Sequence, residues 1–226
     1  RLRTIGTDNL VAAARTAGAR RFVTQGFAGW PYASAGSALR TEEDPFESSP
    51  PEEMRSTVDA LRHLETAVLG VEDLEGIVLR YGGFYGPGTS LGDGGEMVEG
   101  IRKRQLPIVG DGAGVTSFLH VADAAAATVA ALERGMSGVY NVVDNEPAPS
   151  SLWIPELAKA VGAKPPRHVP VWLAKPLIGE AGVWLMTKAP GASNAKAKVE
   201  LGWTPRYASW RIGFREGLGR ETAMCA

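Results

Sequence analysis

The stretch that most constrains this chain is Ile77–Gly88, which reads Ile-Val-Leu-Arg-Tyr-Gly-Gly-Phe-Tyr-Gly-Pro-Gly. An apolar, β-branched run ends there in a cluster of glycines and one proline. Val78 and Leu79 suit a strand covered on both faces, as in a parallel sheet. The Gly/Pro cluster stops that strand and lets backbone approach whatever lies at its carboxyl end. In open α/β sheets that crevice is where ligands bind. A plain strand-to-loop turn is the other reading of the same residues.

The 226 residues are enough for one substantial domain, or a core with a small appended lobe. A net charge of −1 argues against a nucleic-acid or polyanion partner. The single cysteine, Cys225, excludes an intramolecular disulfide framework and fits a reducing, cytoplasmic setting. No secretory signal opens the chain, and its first residue, Arg1, points to a fragment or a trimmed product. The most apolar segment, 171–186, is interrupted by Lys175, Pro176, Gly179 and Glu180 and is too short to span a bilayer, so no membrane partner is expected.

In chain order, apolar positions Ile5, Leu10, Val11, Ala14 and Ala17 predict a helix over 4–17, stopped by Gly18. Phe22–Gln25 is a short strand closed by Gly26. Residues 27–51 form a long proline- and glycine-rich loop over the end of that strand, and loops of this length are usually functional. Its acidic run Glu42-Glu43-Asp44 reads as a solvated face. Val58, Leu61, Leu64 and Val68 make one stripe of a helix over 56–69 ended by Gly70. A short helix is expected through Met97, Val98 and Ile101, then strands over 106–112 and 116–121. Asp123 is placed to cap an alanine-rich helix running to about Arg134. Gly138–Val143 is another buried-type strand. Short helices follow over 151–161, 171–187, 194–201 and 209–219, with a strand at 168–171.

Several of these pieces together resemble the extended short-chain dehydrogenase family, the NAD(P)-dependent epimerases and dehydratases. They are Gly6–Ala14, Arg21-Phe22-Val23, Leu79-Arg80-Tyr81 with Tyr85-Gly86-Pro87-Gly88, Phe118–Asp123, Tyr140-Asn141-Val142 and Leu201–Pro205. The resemblance implies an α/β fold: a partial Rossmann-like, doubly wound parallel sheet with a small C-terminal substrate lobe. Residues 1–145 would be the C-terminal half of the dinucleotide-binding core, with 87–115 reaching into the substrate lobe, and 146–226 the lobe itself. The family's Gly-x-x-Gly-x-x-Gly turn is not in this sequence. NAD or NADP is therefore expected to bind only with a missing N-terminal half present.

The family uses Ser or Thr, Tyr and Lys, the lysine one helical turn after a tyrosine whose pKa of roughly 10 it lowers. Matched by the preceding prolines, those positions carry Met54 and Val58; matched through Glu65, they carry Thr57 and Leu61. No lysine precedes Lys103, no tyrosine lies between Tyr32 and Tyr81, and no Tyr-x-x-x-Lys occurs. Tyr32 is left as a stand-in acid, with a surface tyrosine as the alternative. Gln25, Tyr81, Gly82, Gly83 and Phe84 match the cofactor side, with Gln25 alternatively capping loop backbone. Trp30, Arg80 and Tyr85 are the substrate candidates. Gly83 and Thr116 fall where nucleotide-sugar enzymes carry a substrate asparagine and a diphosphate arginine, which argues against a nucleotide sugar. His63 reads as exposed and His120 as a structural position. The three histidines make no metal pattern.

The expected function is an oxidoreductase or isomerase of the epimerase/dehydratase type on a small carbonyl or hydroxyl substrate, inactive as this fragment. A non-catalytic NAD(P)- or ligand-binding relative is the alternative. A homodimer through helices 4–17 and 56–69 is implied by the family's four-helix interface.

Overall fold

The computed structural model describes residues 1–36 and 39–219; Cys225 lies outside them. A π-helical turn, Leu2–Gly6, runs into α1 (Thr7–Thr16), and Gly18, at φ +68°, turns the chain into β1 (Arg21–Phe27). The long connection that follows contains one short strand, β2 (Leu39–Arg40). Helix α2 (Glu52–Leu69) starts a full turn earlier than its stripe predicts. Pro51 fixes the entry, Glu52 and Glu53 suit the positive end of the helix, and Met54 extends the buried stripe.

Next come β3 (Glu75–Tyr81), β4 (Gly83–Tyr85), α3 (Glu96–Arg102), β5 (Ile108–Val109), β6 (Val115–Thr116), β7 (Phe118–His120), α4 (Val121–Arg134) and β8 (Gly138–Val142). The main sheet is parallel in the order β1-β3-β8, with Gln25 opposite Leu79 and Leu79 opposite Tyr140. Among the described residues β1 is a border strand. Helices α1 and α2 cover one face, where Val11, Leu64 and Val68 pack on Val78. On the other face the alanines of α4 pack with Ile77, Leu79 and Tyr140. Removing the Leu64 side chain to alanine would cost about 2–5 kcal/mol, since the buried site can collapse only in part.

Asp123 does not cap α4. The His120 ring does, accepting the Ala122 N–H at 3.1 Å, while the Asp123 carboxylate accepts backbone N–H groups of Arg206 (2.8 Å) and Tyr207 (3.0 Å). A distant segment took the acceptor that local spacing offered to the helix.

The remaining elements are β9 (Ala148–Pro149), α5 (Ser150–Ala160), β10 (His168–Val169), α6 (Val171–Thr187, broken at Gly179), β11 (Gly191–Ala192), α7 (Ala195–Glu200) and α8 (Trp210–Glu216). Strand β4 pairs with β7, and β6 pairs antiparallel with β9, so 83–85 and 115–116 join this second layer. Its core is aromatic: Phe118 meets Trp153 at 5.4 Å and Phe214 at 5.3 Å, both edge-on. Ala197, Leu201 and Trp203 return to the core beneath α4, so the described residues after 146 are shared between the two layers. Among the described residues, no helix is long and apolar enough to cross a membrane.

Candidate functional site

Strand β3 sends Arg80 and Tyr81 to opposite faces, as its alternation requires. Arg80 turns toward α2 and holds Glu65 by two bonds, Nε to Oε1 at 2.7 Å and Nη2 to Oε2 at 2.6 Å. Its third donor, Nη1, reaches the Tyr32 hydroxyl at 2.6 Å, and that hydroxyl donates to Asn141 Oδ1 at 2.6 Å. Phe46 lies against the guanidinium, 4.4 Å from ring centre to Cζ. The Asn141 backbone N–H, on the free side of β8, donates to Glu42 Oε1 at 2.7 Å. The long loop therefore folds Tyr32, Glu42 and Phe46 down onto the ends of β3 and β8.

This corrects three expectations. Tyr32 is 0% exposed, so it is neither a surface tyrosine nor a free acid. Burial pushes its phenol up to about 12 against the opposing pull of Arg80. Arg80 is buried, each of its three nitrogens bonds to Glu65 or Tyr32, and it does not line the cavity, so it is not placed to meet a substrate. The run 42–44 is not a uniformly solvated face, because Glu42 is half-buried, and that burial raises its carboxyl above the usual range.

Tyr85 also departs from its expected role. It is 0% exposed, packed in the aromatic core beside Phe214 and His120, and burial pushes its phenol up. Tyr81 faces α4, its hydroxyl 2.6 Å from Thr128 Oγ1. Gly82 is buried, and a Cβ there would stand 2.5 Å from the Ser117 carbonyl oxygen. Gln25 is exposed on the sheet. His63 is half-exposed and bonded to Asp8 at 2.8 Å, and His120 is buried with Nε2 3.0 Å from the Gly217 carbonyl oxygen.

Trp30, Gly83 and Phe84 do come together, in a cavity of about 300 Å³ between the two layers. Ala28 and Trp30 line one side, Gly83, Phe84 and Phe118 the β4–β7 side, and Met97, Trp153, Leu185 and Met186 the helical side. Its lining residues with polar side-chain groups are Ser90, Thr116, Ser117 and Ser150, with the indoles of Trp30 and Trp153; Trp153 Nε1 is buried without a partner. Ser117 already accepts the Ala192 N–H at 2.8 Å, and Ser150 donates to the Gly114 carbonyl at 3.1 Å. Among the described residues no ionisable side chain lines this space. The helical side was not legible in the sequence. Met97, Trp153 and Met186 read there as ordinary apolar positions, and only the pairing of β4 with β7 brings them opposite Gly83.

The two triad positions on α2 carry no acid in either register. Met54, Val58 and Leu61 are buried apolar side chains and Thr57 is half-buried. Among the described residues no three His, Cys, Asp or Glu side chains converge as a metal site.

Residues 1–143 match the model described as the NAD dependent epimerase/dehydratase family. A 3-diazoavenalumate denitrifying reductase from Streptomyces sp. is 46% identical over 222 residues, which cover 98% of this chain and 71% of that protein. Among solved structures, a human epimerase family protein with NADPH superposes with a TM-score of 0.79 at 17% identity, over 97% of this chain and 72% of that one. A dTDP-glucose 4,6-dehydratase from Bacillus anthracis in complex with NAD superposes at 0.72 and 21% identity, over 96% and 66% of the two chains. At those identities the likeness is one of fold. The family model and the 46% identical relative settle the assignment: the chain belongs to the NAD-dependent epimerase/dehydratase family.

Proposed function

We propose that this protein is a dihydronicotinamide-dependent reductase acting on a small, flat aryl diazonium compound, whose diazo group it exchanges for hydrogen. The observation that carries this reading is the cavity beside the strand ends, walled by aromatic and methionine side chains and, among the described residues, lined by no acid or base. The 46% identical relative, a denitrifying reductase of a diazo compound, supplies the reaction class.

The residues at the strand ends fit the ring end of a dinucleotide. Ala28, at the end of β1, and Phe84, just past β3, both line the cavity, a small residue on one side and a flat one on the β4–β7 side. These would hold a nicotinamide, which when bound supplies a hydride. With that hydride supplied, the substrate carbon would exchange its bond to nitrogen, whose electron pair would leave on dinitrogen, for a carbon–hydrogen bond, and the two electrons would come from the cofactor. No proton enters that balance. Reduction of a carbonyl, in contrast, leaves an alkoxide that a nearby acid must protonate. Tyr32, the one tyrosine of the loop, is held neutral in a buried network and does not line the cavity. Here the missing acid is a feature the chemistry does not require. The aromatic rings of Trp30, Phe84, Phe118 and Trp153 suit both a flat ring and the positive charge it carries.

The test is the full-length protein with NADPH or NADH and a ¹⁵N-labelled benzenediazonium salt, followed by mass spectrometry of the headspace. Labelled dinitrogen in step with cofactor oxidation, above the rate without enzyme, is the expected result. Saturable NADPH binding with no cofactor oxidation would instead identify the non-catalytic, ligand-binding relative.

A further inference from the structure

Two adjacent glycines end β3, and the structure separates them. Gly82 is demanded by packing, because a Cβ there would lie 2.5 Å from the Ser117 carbonyl oxygen, a contact no side chain can make. Gly83 is demanded by nothing inside the chain. It sits in β4 with an ordinary extended backbone, its N–H donates to the Ser117 carbonyl at 2.8 Å, and its φ is not in the left-handed region. A Cβ at Gly83 would meet nothing nearer than Thr116 Cγ2, at 3.6 Å, which is ordinary van der Waals contact. A glycine in a strand weakens it and often marks the close approach of a ligand or another backbone. Gly100 is equally unconstrained, but it lies on α3 outside the cavity, whereas Gly83 is exposed and faces into it.

We infer that Gly83 is a specificity-determining residue: its missing side chain leaves the part of the cavity floor on which a flat aryl group of the substrate lies against bare backbone, beside Thr116. The sequence reading places Gly83 both on the cofactor side and at a substrate-asparagine position; the inference takes the second. The inference rests on reading this cavity as the substrate site, but not on the diazo chemistry. A side chain here would fill the floor without disturbing the fold, so the effect falls on ligand size and shape.

The experiment uses the full-length protein and trans-cinnamamide, a flat neutral probe, with tryptophan quenching as the readout, since Trp30 and Trp153 both line the cavity. Gly83→Ala should weaken the probe about tenfold and leave the melting temperature unchanged. Gly83→Leu should abolish saturable quenching. Equal affinity in wild type and Gly83→Ala, or no saturable quenching in the wild type, would overturn the inference. A wild type that binds the probe tightly and loses it in Gly83→Ala, yet releases no dinitrogen from a diazonium salt, would end the diazo reading and leave this one standing.

Discussion

Two regions at the same end of the sheet have opposite chemistry. Beneath the loop, Glu65, Arg80, Tyr32 and Asn141 form a chain of short hydrogen bonds in which each guanidinium nitrogen of Arg80 donates to a neighbour. A few residues further along, past the end of β3, Gly83 and Phe84 open onto a cavity without an ionisable side chain among the described residues. The polar residues nearest the site thus hold the loop and strands in place, and the site itself is a shaped apolar space. Polar residues near a crevice are not catalytic by proximity: what matters is whether their donors and acceptors are already spent.

The largest effect that would break this contrast comes from Arg80. Arg80→Met leaves Glu65 and the Tyr32 hydroxyl buried without their partner, and unfolding in denaturant should show a loss of about 3–5 kcal/mol. A loss below about 1 kcal/mol would mean the network is not holding the loop. Next is the glycine pair. Gly82→Ala forces a Cβ against the Ser117 carbonyl and should cost about 1–3 kcal/mol, whereas Gly83→Ala should stay within about 0.5 kcal/mol of wild type. Equal losses at both positions would erase the distinction between packing and ligand space.

Tyr32→Phe removes one hydroxyl and leaves Arg80 Nη1 and Asn141 Oδ1 unpaired, at a cost of about 1–3 kcal/mol. The rate of reduction by the folded variant should be unchanged. A rate loss larger than the change in folded fraction would return Tyr32 to the chemistry.

The smallest effect is a slope. Asp144 is 1% exposed, and burial pushes its carboxyl up to about 8 from an ordinary 3.8. Its folded state therefore holds the proton more tightly than the unfolded chain. The stability this contributes is complete below about pH 4 and is lost as pH rises toward 8. Between pH 6 and 7 the wild type should lose no more than about 1.4 kcal/mol relative to Asp144→Asn. Parallel pH–stability curves for the two proteins would remove Asp144 from the account.

Much of the fold was legible because its signals are local. The stripe Val58–Val68 on α2, the alanines of α4 and the apolar core of β3 are periodic, and each buries the face its period selects. The site was less legible because its logic is not local. Tyr32 meets Asn141 across 109 positions of sequence, and no spacing rule connects them. Asp123 looks like a helix cap until Arg206 and Tyr207 are seen to donate to it. Gly82 and Gly83 are identical letters, and only the distance of each to the Ser117 segment tells one from the other. Trp30, Gly83 and Phe84 were the candidates that reached the cavity. Arg80 and Tyr85 were equally reasonable choices at the same strand end, but the alternation of β3 and the turn after β4 bury them.

The central claim is that no side-chain acid of this chain takes part in the reduction, and the most direct measurement is the pH dependence of kcat for diazonium reduction by the full-length protein. The account predicts a kcat that is flat between about pH 6 and 9 in the wild type and in Tyr32→Phe alike, because the balanced step takes up no proton and the buried phenol does not ionise in that range. A bell-shaped or stepped profile that disappears in Tyr32→Phe would contradict it.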